Sequence, residues 1–135
     1  MPVDLKEKGL TDLIIKAFYN TYNTLGHGFL EIVYEKSLLI ELRKLGLNAL
    51  RQQKIEVYYE GLLVGYYIAD LIVNQKVIIE VKSVTSLHQA HEAQLKNYLR
   101  ATPVEIGMLF NFGERPQFSR QFFANDRKRL NRYQG

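Results

Sequence analysis

The chain contains no cysteine among its 135 residues, which excludes disulfides and thiolate metal sites. No apolar run is long enough to span a bilayer, and the first residues lack the apolar centre of a signal peptide. P-loop, G-x-G-x-x-G and G-x-S-x-G motifs are absent, so NTPase, dinucleotide-enzyme and common hydrolase functions lack support. We therefore expect a cytoplasmic protein with no membrane partner, folded as one domain over residues 1–135.

Positive charge is concentrated near the C-terminus. The chain carries a net charge of +4, yet the segment from about residue 115 to 135 holds six basic residues against one acidic residue. These basic residues are Arg115, Arg120, Arg127, Lys128, Arg129 and Arg132. Such a basic segment suits a polyanion, and we expect Arg127, Lys128, Arg129 and Arg132 to contact nucleic acid. The alternative is a solvated tail that aids solubility.

Hydrophobic periodicity predicts helices and strands in alternating blocks. The predicted helices cover about residues 10–25, 28–45 and 86–100. The predicted strands cover about 54–59, 62–73, 77–83 and 104–111, with a further strand near 118–123. This order predicts an α/β or α+β fold in which a mixed central sheet is flanked by helices.

Three charged residues lie in the apolar hairpin that these strands form. Alternation places Glu80 and Lys82 on one face of their strand. A three-residue turn at 74–76 would place Asp70 opposite Glu80, whereas a two-residue turn would place Asp70 on the other face. Because a buried charge is costly unless it is paired or binds a metal, these residues predict either a metal site, which requires the three-residue turn, or a buried Glu80–Lys82 ion pair.

A metal site here would use Asp70 and Glu80 as ligands of Mg²⁺ or Mn²⁺, which prefer oxygen donors. Lys82 would stabilise charge that develops on the attacking water or on the phosphorus. Glu31 lies at the start of the second helix and is a candidate third ligand. Its alternative role is that of a surface carboxylate favoured by the helix dipole.

Two helical pairs extend this constellation. Glu31 and Tyr34 are three residues apart on the second helix, and Gln94 and Tyr98 are four apart on the third, so each pair shares a helix face. We expect Gln94 to reach a carboxylate or substrate phosphate and the tyrosines to contact substrate. A polar helix edge is the alternative for Gln94 and Tyr98. A zinc site at His88 and His91 has weak support, because no third ligand is evident.

Together these residues resemble the GxxExxY family, which is placed in the PD-(D/E)XK nuclease superfamily. The matching positions are Gly28, Glu31 and Tyr34, then Asp70, Glu80-Val81-Lys82, and Gln94 with Tyr98. Ala69 replaces the proline that often precedes the first acid. The resemblance implies a restriction-endonuclease-like core and metal-dependent cleavage of nucleic acid, with Glu31, Asp70, Glu80, Lys82 and Gln94 as catalytic residues. We expect DNA rather than RNA as the substrate. A nuclease fold that binds nucleic acid or protein without catalysis is the alternative, and a homodimer is kept open.

Overall fold

A mixed five-stranded sheet carries helices on both faces in the computed structural model, which describes residues 6–130. The elements are α1 (Lys8–Leu25), α2 (Glu31–Lys44), β1 (Ala49–Tyr59), β2 (Leu62–Val73), β3 (Val77–Lys82), α3 (Gln89–Arg100), β4 (Ile106–Phe112) and β5 (Pro116–Phe122), followed by a 3₁₀ turn at Asn125–Arg127. The predicted fold class is confirmed. Within residues 6–130, no helix is both long and apolar enough to cross a bilayer.

The strands follow the order β1-β2-β3-β4-β5, and only β3 and β4 run parallel. The crossover between these two strands contains α3, the usual connection for parallel neighbours. Every residue of β4 is buried, which explains its uninterrupted apolar sequence. The central strands are therefore enclosed on both faces, and functional side chains must lie at their ends.

Two hydrophobic clusters form the core, one on each face of the sheet. α1 and α2 pack on the face that receives Val77, Ile79 and Val81, whereas Ile78 packs with α3. This confirms the alternation predicted for β3. Phe18 of α1 stacks on Phe110 of β4, with ring centroids 4.4 Å apart. Because Glu80 follows Ile78 in alternation, it lies on the α3 side.

The turn between β2 and β3 has three residues, which is the length that the metal-site interpretation requires. Val73 pairs with Val77 and Leu71 pairs with Ile79, where the pairing of the two strands ends. One further step in this register sets Asp70 opposite Glu80. Asn74 and Gln75 adopt positive φ angles of 53° and 55°. The backbone N–H of Asn74 donates to the Asn48 carbonyl at 2.7 Å, which ties this turn to the start of β1.

The distal half of the β1–β2 hairpin extends beyond both hydrophobic clusters. β1 begins at Ala49, five residues before its predicted start, and the two strands pair as far as Tyr59 and Leu62. Several large apolar side chains are exposed there: Tyr58, Tyr59, Leu62, Leu63, Val64, Tyr66, Tyr67 and Ile68. Before Asp70, β2 therefore pairs with β1 alone, whereas β3 pairs with β4 along its whole length.

Replacing Gly107 by alanine should destabilise the fold, because α3 packs directly on this position of β4. A Cβ at residue 107 would lie 2.8 Å from two carbon atoms of Leu95, too close for packing without displacement. We expect Gly107→Ala to lower the free energy of unfolding by about 1–3 kcal/mol in urea titrations. Gly65→Ala is the matched control, since a Cβ at Gly65 meets nothing within 4 Å.

The clash also predicts coupling between the two positions. In the Leu95→Ala background the added methyl has room, so Gly107→Ala should lower the free energy of unfolding much less than it does in the wild-type chain. Equal losses of free energy in the two backgrounds would contradict a clash between these residues.

Candidate active site

Asp70 and Glu80 exchange hydrogen bonds at the point where β2 separates from β3. The Asp70 backbone N–H donates to Glu80 Oε2 at 2.8 Å, and the Val81 backbone N–H donates to Asp70 Oδ2 at 2.8 Å. Because β2 and β3 diverge here, these two backbone N–H groups lose their partners on the neighbouring strand, and each carboxyl group replaces one of those partners. This exchange fixes both carboxyl groups side by side.

Burial raises the pKa of both carboxyl groups. Glu80 is only 6% exposed and Asp70 is half-buried. Burial is the largest cause of the raised pKa of Asp70 and of Glu80, and Asp70 raises the pKa of Glu80 further by charge repulsion. Two acids held together in this way attract a proton or a cation strongly.

Lys82 lies close enough to lower the pKa of Asp70 and of Glu80 by its positive charge, against the larger effect of burial. Among the described residues it forms no ion pair with Glu80, so the buried Glu80–Lys82 pair considered from the sequence is not found. The Lys82 side chain is partly exposed at the end of β3. Its ammonium is therefore available to a bound anion.

Glu31 lies at the end of β3. Its carboxylate accepts the backbone N–H of Ser83, the residue after Lys82, at 3.0 Å. Glu31 is exposed and begins α2, while Gly28 ahead of it has a positive φ of 109° that favours glycine. The second helix therefore starts three residues later than predicted, and the loop before it delivers Glu31 to the site.

Glu35, one turn after Glu31, is a site residue that the sequence reasoning did not single out. It is buried, and its charge and a side-chain hydrogen bond both raise the pKa of Asp70. Glu35 Oε2 accepts Arg51 Nε at 2.8 Å, and Oε1 accepts Gln52 Nε2 at 2.8 Å. The sequence did contain a signal for this residue: Glu35 lies on the apolar face of α2, and a charge that is buried there requires partners.

α3 places Tyr98 beside the carboxyl groups and Gln94 at its surface. Tyr98 is 4% exposed, and burial, with the charges of Glu80 and Asp70, raises its pKa to about 12. Gln94 is exposed and makes no hydrogen bond to either carboxyl group within the described part of the chain. His91 also faces the site, and burial and the charge of Lys82 lower its pKa.

Tyr34 is fully buried, so the substrate contact expected of it is not available in this structure. Its hydroxyl donates to the Gly26 carbonyl at 2.6 Å and accepts the Phe29 backbone N–H at 3.2 Å. Its ring stacks on Phe112 with centroids 4.3 Å apart. Tyr34 thus holds the loop that presents Glu31.

The basic C-terminal residues divide into two groups. Arg127 and Arg129 are exposed, whereas Lys128 is buried and its ammonium donates to the carbonyls of Thr102 and Val104 at 2.6 and 2.7 Å. Burial lowers the pKa of Lys128 to about 8. The nucleic-acid contact expected of Lys128 is therefore not available, because its ammonium is enclosed. Arg132 lies outside the described residues.

The chain matches the family model of the PD-(D/E)XK nuclease superfamily over residues 8–122. It therefore belongs to this superfamily. The fold also resembles the solved structure titled "Crystal structure of SSO0001", with a TM-score of 0.54 and 22% sequence identity. That similarity covers 67% of this chain and 48% of the other, so the chain spans about half the length of that protein. No curated protein matches the sequence.

The donor set fits a hard divalent cation. Among residues 6–130, no three acidic or histidine side chains are arranged as a complete ligand group. Asp70 and Glu80 nevertheless offer adjacent, partly desolvated carboxyl oxygens, and burial together with the repulsion of Glu80 by Asp70 makes their ionised forms costly. A cation at these oxygens would offset that cost, and Mg²⁺ commonly uses one or two carboxylates with water completing its shell.

The carboxyl pair should make the metal-free protein less stable as pH rises. Folding raises the pKa of Asp70 from 3.8 to about 6 and that of Glu80 from 4.5 to about 8. The contribution of the two protonated carboxyl groups to the free energy of unfolding is therefore complete below about pH 4, and it is lost as pH rises through about 6 to 8. Urea unfolding in chelator across this range measures the loss.

The matched variant for this pH profile is Asp70→Asn/Glu80→Gln, which keeps both hydrogen-bond acceptors but removes both titrating groups. Its stability should depend less on pH than that of the wild-type chain. Parallel profiles for the two proteins would contradict the raised pKa values.

Proposed function

We propose that this protein is a divalent-metal-dependent nuclease that hydrolyses phosphodiester bonds in nucleic acid, with DNA as the preferred substrate. The observation that carries the proposal is the side-by-side placement of Asp70 and Glu80, with Lys82 at the end of the same strand. Membership of a nuclease superfamily supports the reaction class. The GxxExxY motif at Gly28, Glu31 and Tyr34 supports the narrower family assignment.

Asp70 and Glu80 would hold Mg²⁺ or Mn²⁺, with Glu31 as a third carboxylate near the exposed end of the site. When bound, the metal would activate a water and neutralise charge on the phosphate oxygens. Glu35 acts as a positioning residue, because both of its oxygens are bonded to Arg51 and Gln52 and its carboxyl group contacts Asp70.

Lys82 supplies a fixed positive charge where the scissile phosphate would lie. A preorganised cation stabilises charge that grows in the transition state more than charge already present in the substrate. Tyr98 limits the access of water to the inner side of Glu80, since it is buried beside that carboxyl group. Gln94 would reach the substrate from the same face of α3 as Tyr98, one turn closer to the start of the helix, where it is exposed.

The second candidate is a nucleic-acid-binding module that does not cleave. The observation that favours it is the lack of a complete three-residue ligand group among the described residues. Incubating the protein with plasmid DNA, linear DNA and RNA, with Mg²⁺, Mn²⁺ or chelator, separates the two candidates. Cleavage that requires the metal supports the nuclease, whereas binding alone supports the module.

Metal binding should depend on Asp70. We expect Asp70→Asn to weaken Mn²⁺ binding at least tenfold in calorimetric titration, because one of two adjacent anionic ligands becomes neutral. Asp12→Asn is the matched control, since Asp12 lies on α1 and pairs with Lys8 on the surface. Equal Mn²⁺ affinity in wild type and Asp70→Asn would place the metal elsewhere.

Removing the Lys82 ammonium should impair turnover more than binding. We expect Lys82→Ala to lower kcat by roughly two to three orders of magnitude while nucleic-acid affinity changes far less. The matched control is Lys44→Ala, because Lys44 is exposed at the end of α2 and pairs with Glu41. Cleavage rates, binding and thermal melting should be measured for both variants.

Melting distinguishes a catalytic from a structural role of Lys82. Since Lys82 forms no ion pair with Glu80 among the described residues, its truncation should leave the melting temperature close to that of the wild type. A large fall in melting temperature, together with no metal-dependent cleavage by the wild-type protein, would support the structural role and overturn the proposed activity.

A further inference from the structure

A basic cavity of about 320 Å³ lies between α3 and the C-terminal segment, apart from the carboxyl groups. Its lining includes four cationic side chains, those of Lys96, Arg100, Arg127 and Arg129, and no acidic residue. Ala93, Asn97 and Phe123 complete the lining. A cavity with this composition favours a ligand with several negative charges.

The helical part of this cavity faces away from the candidate active site. Lys96 and Arg100 are four residues apart and share the exposed side of α3. Tyr98 lies on the opposite side of the helix, where it is buried beside Glu80. The cavity is thus separated from the carboxyl groups by the width of one helix, about 10 Å.

The other part of the cavity is held in place by the burial of Lys128. Its ammonium is bonded to two carbonyls in the loop after α3, and Asn125 Nδ2 donates to the Pro103 carbonyl of the same loop at 2.9 Å. Lys128 has an extended backbone, so the residues on either side of it point outward. Arg127 and Arg129 are therefore presented at defined positions.

None of the four cations forms an ion pair with another described residue. The Arg127 guanidinium lies over the Phe123 ring, 5.7 Å from its centroid, and Arg100 Nη1 donates to Asn97 Oδ1 at 3.4 Å. These contacts orient the two guanidinium groups without neutralising them. Arginine groups held in this way are suited to bind phosphate oxygens in pairs.

We propose that this cavity binds backbone phosphates of nucleic acid at a position removed from the scissile bond. This inference rests on the proposed function, since it takes the same nucleic acid as the ligand. Phosphate contacts position a strand without reading its bases, so the cavity adds affinity equally for all sequences. Binding at the cavity and cleavage at the carboxyl groups are consequently separable by mutation.

Fluorescence anisotropy with labelled DNA duplexes of several sequences, in chelator and over a range of salt concentrations, tests the cavity. Lys96→Gln/Arg100→Gln removes two charges from it. Lys16→Gln/Lys36→Gln removes two charges from exposed positions of α1 and α2 and serves as the matched control. We expect the cavity variant to weaken binding for every sequence and to lower the slope of log affinity against log salt by about 1 for each residue changed.

Cleavage assays with Mn²⁺ complete the test. The cavity variant should raise KM and leave kcat near the wild-type value, whereas the control variant should change neither. Equal losses of affinity in the two variants, or an unchanged salt slope in the cavity variant, would overturn the cavity as a phosphate site. Wild-type protein that binds DNA through the cavity but never cleaves it would overturn the proposed activity alone. A wild-type protein that binds no nucleic acid would overturn both.

Discussion

The exchange of hydrogen bonds between Asp70 and Glu80 is the constraint on which the candidate active site depends. Where β2 and β3 diverge, main-chain donors would lose their partners, and an unpaired buried donor is costly. The two carboxyl groups accept those donors. The point at which the strands separate therefore requires hydrogen-bond acceptors, and in this protein the acceptors are the carboxyl groups of two acids. The two groups that end the strand pairing are thus also the two that we propose hold the metal.

The rest of the site is positioned by packing around this point. Tyr34 joins the α1–α2 loop to Phe112 of β4, and that loop carries Glu31 to Ser83. The buried side chain of Asn111 holds the segment after β3 from the other side, since it donates to the Val84 carbonyl and accepts the Val84 N–H, each at 2.9 Å. The end of β3 is thus held by the α1–α2 loop with the first residue of α2, and by the neighbouring parallel strand.

Features that depend on the spacing of residues along one strand or helix could be predicted from the sequence. Features that depend on packing between distant segments of the chain could not. The face shared by Glu80 and Lys82 follows from alternation. The opposition of Asp70 and Glu80 depends on the length of one turn, which the sequence left open between two and three residues. Glu35 required knowledge of how α2 lies on the sheet. The burial of Lys128 depended on carbonyls left open after α3, which no local pattern in the C-terminal segment reveals.

The turn at 74–76 sets which face of β2 opposes which face of β3. Asn74 and Gln75 adopt positive φ angles, and the Lys76 N–H donates to the Val73 carbonyl at 2.9 Å. A two-residue hairpin turn needs positive φ at both central residues as well, so deleting one residue would bring no relief of backbone strain. The deletion would reverse the parity of β3 relative to β2 and place the two carboxyl groups on opposite faces of the sheet. The length of this turn is therefore under a constraint that its composition is not: glycine at position 74 or 75 would keep the register, whereas the loss of one residue would separate the two acids.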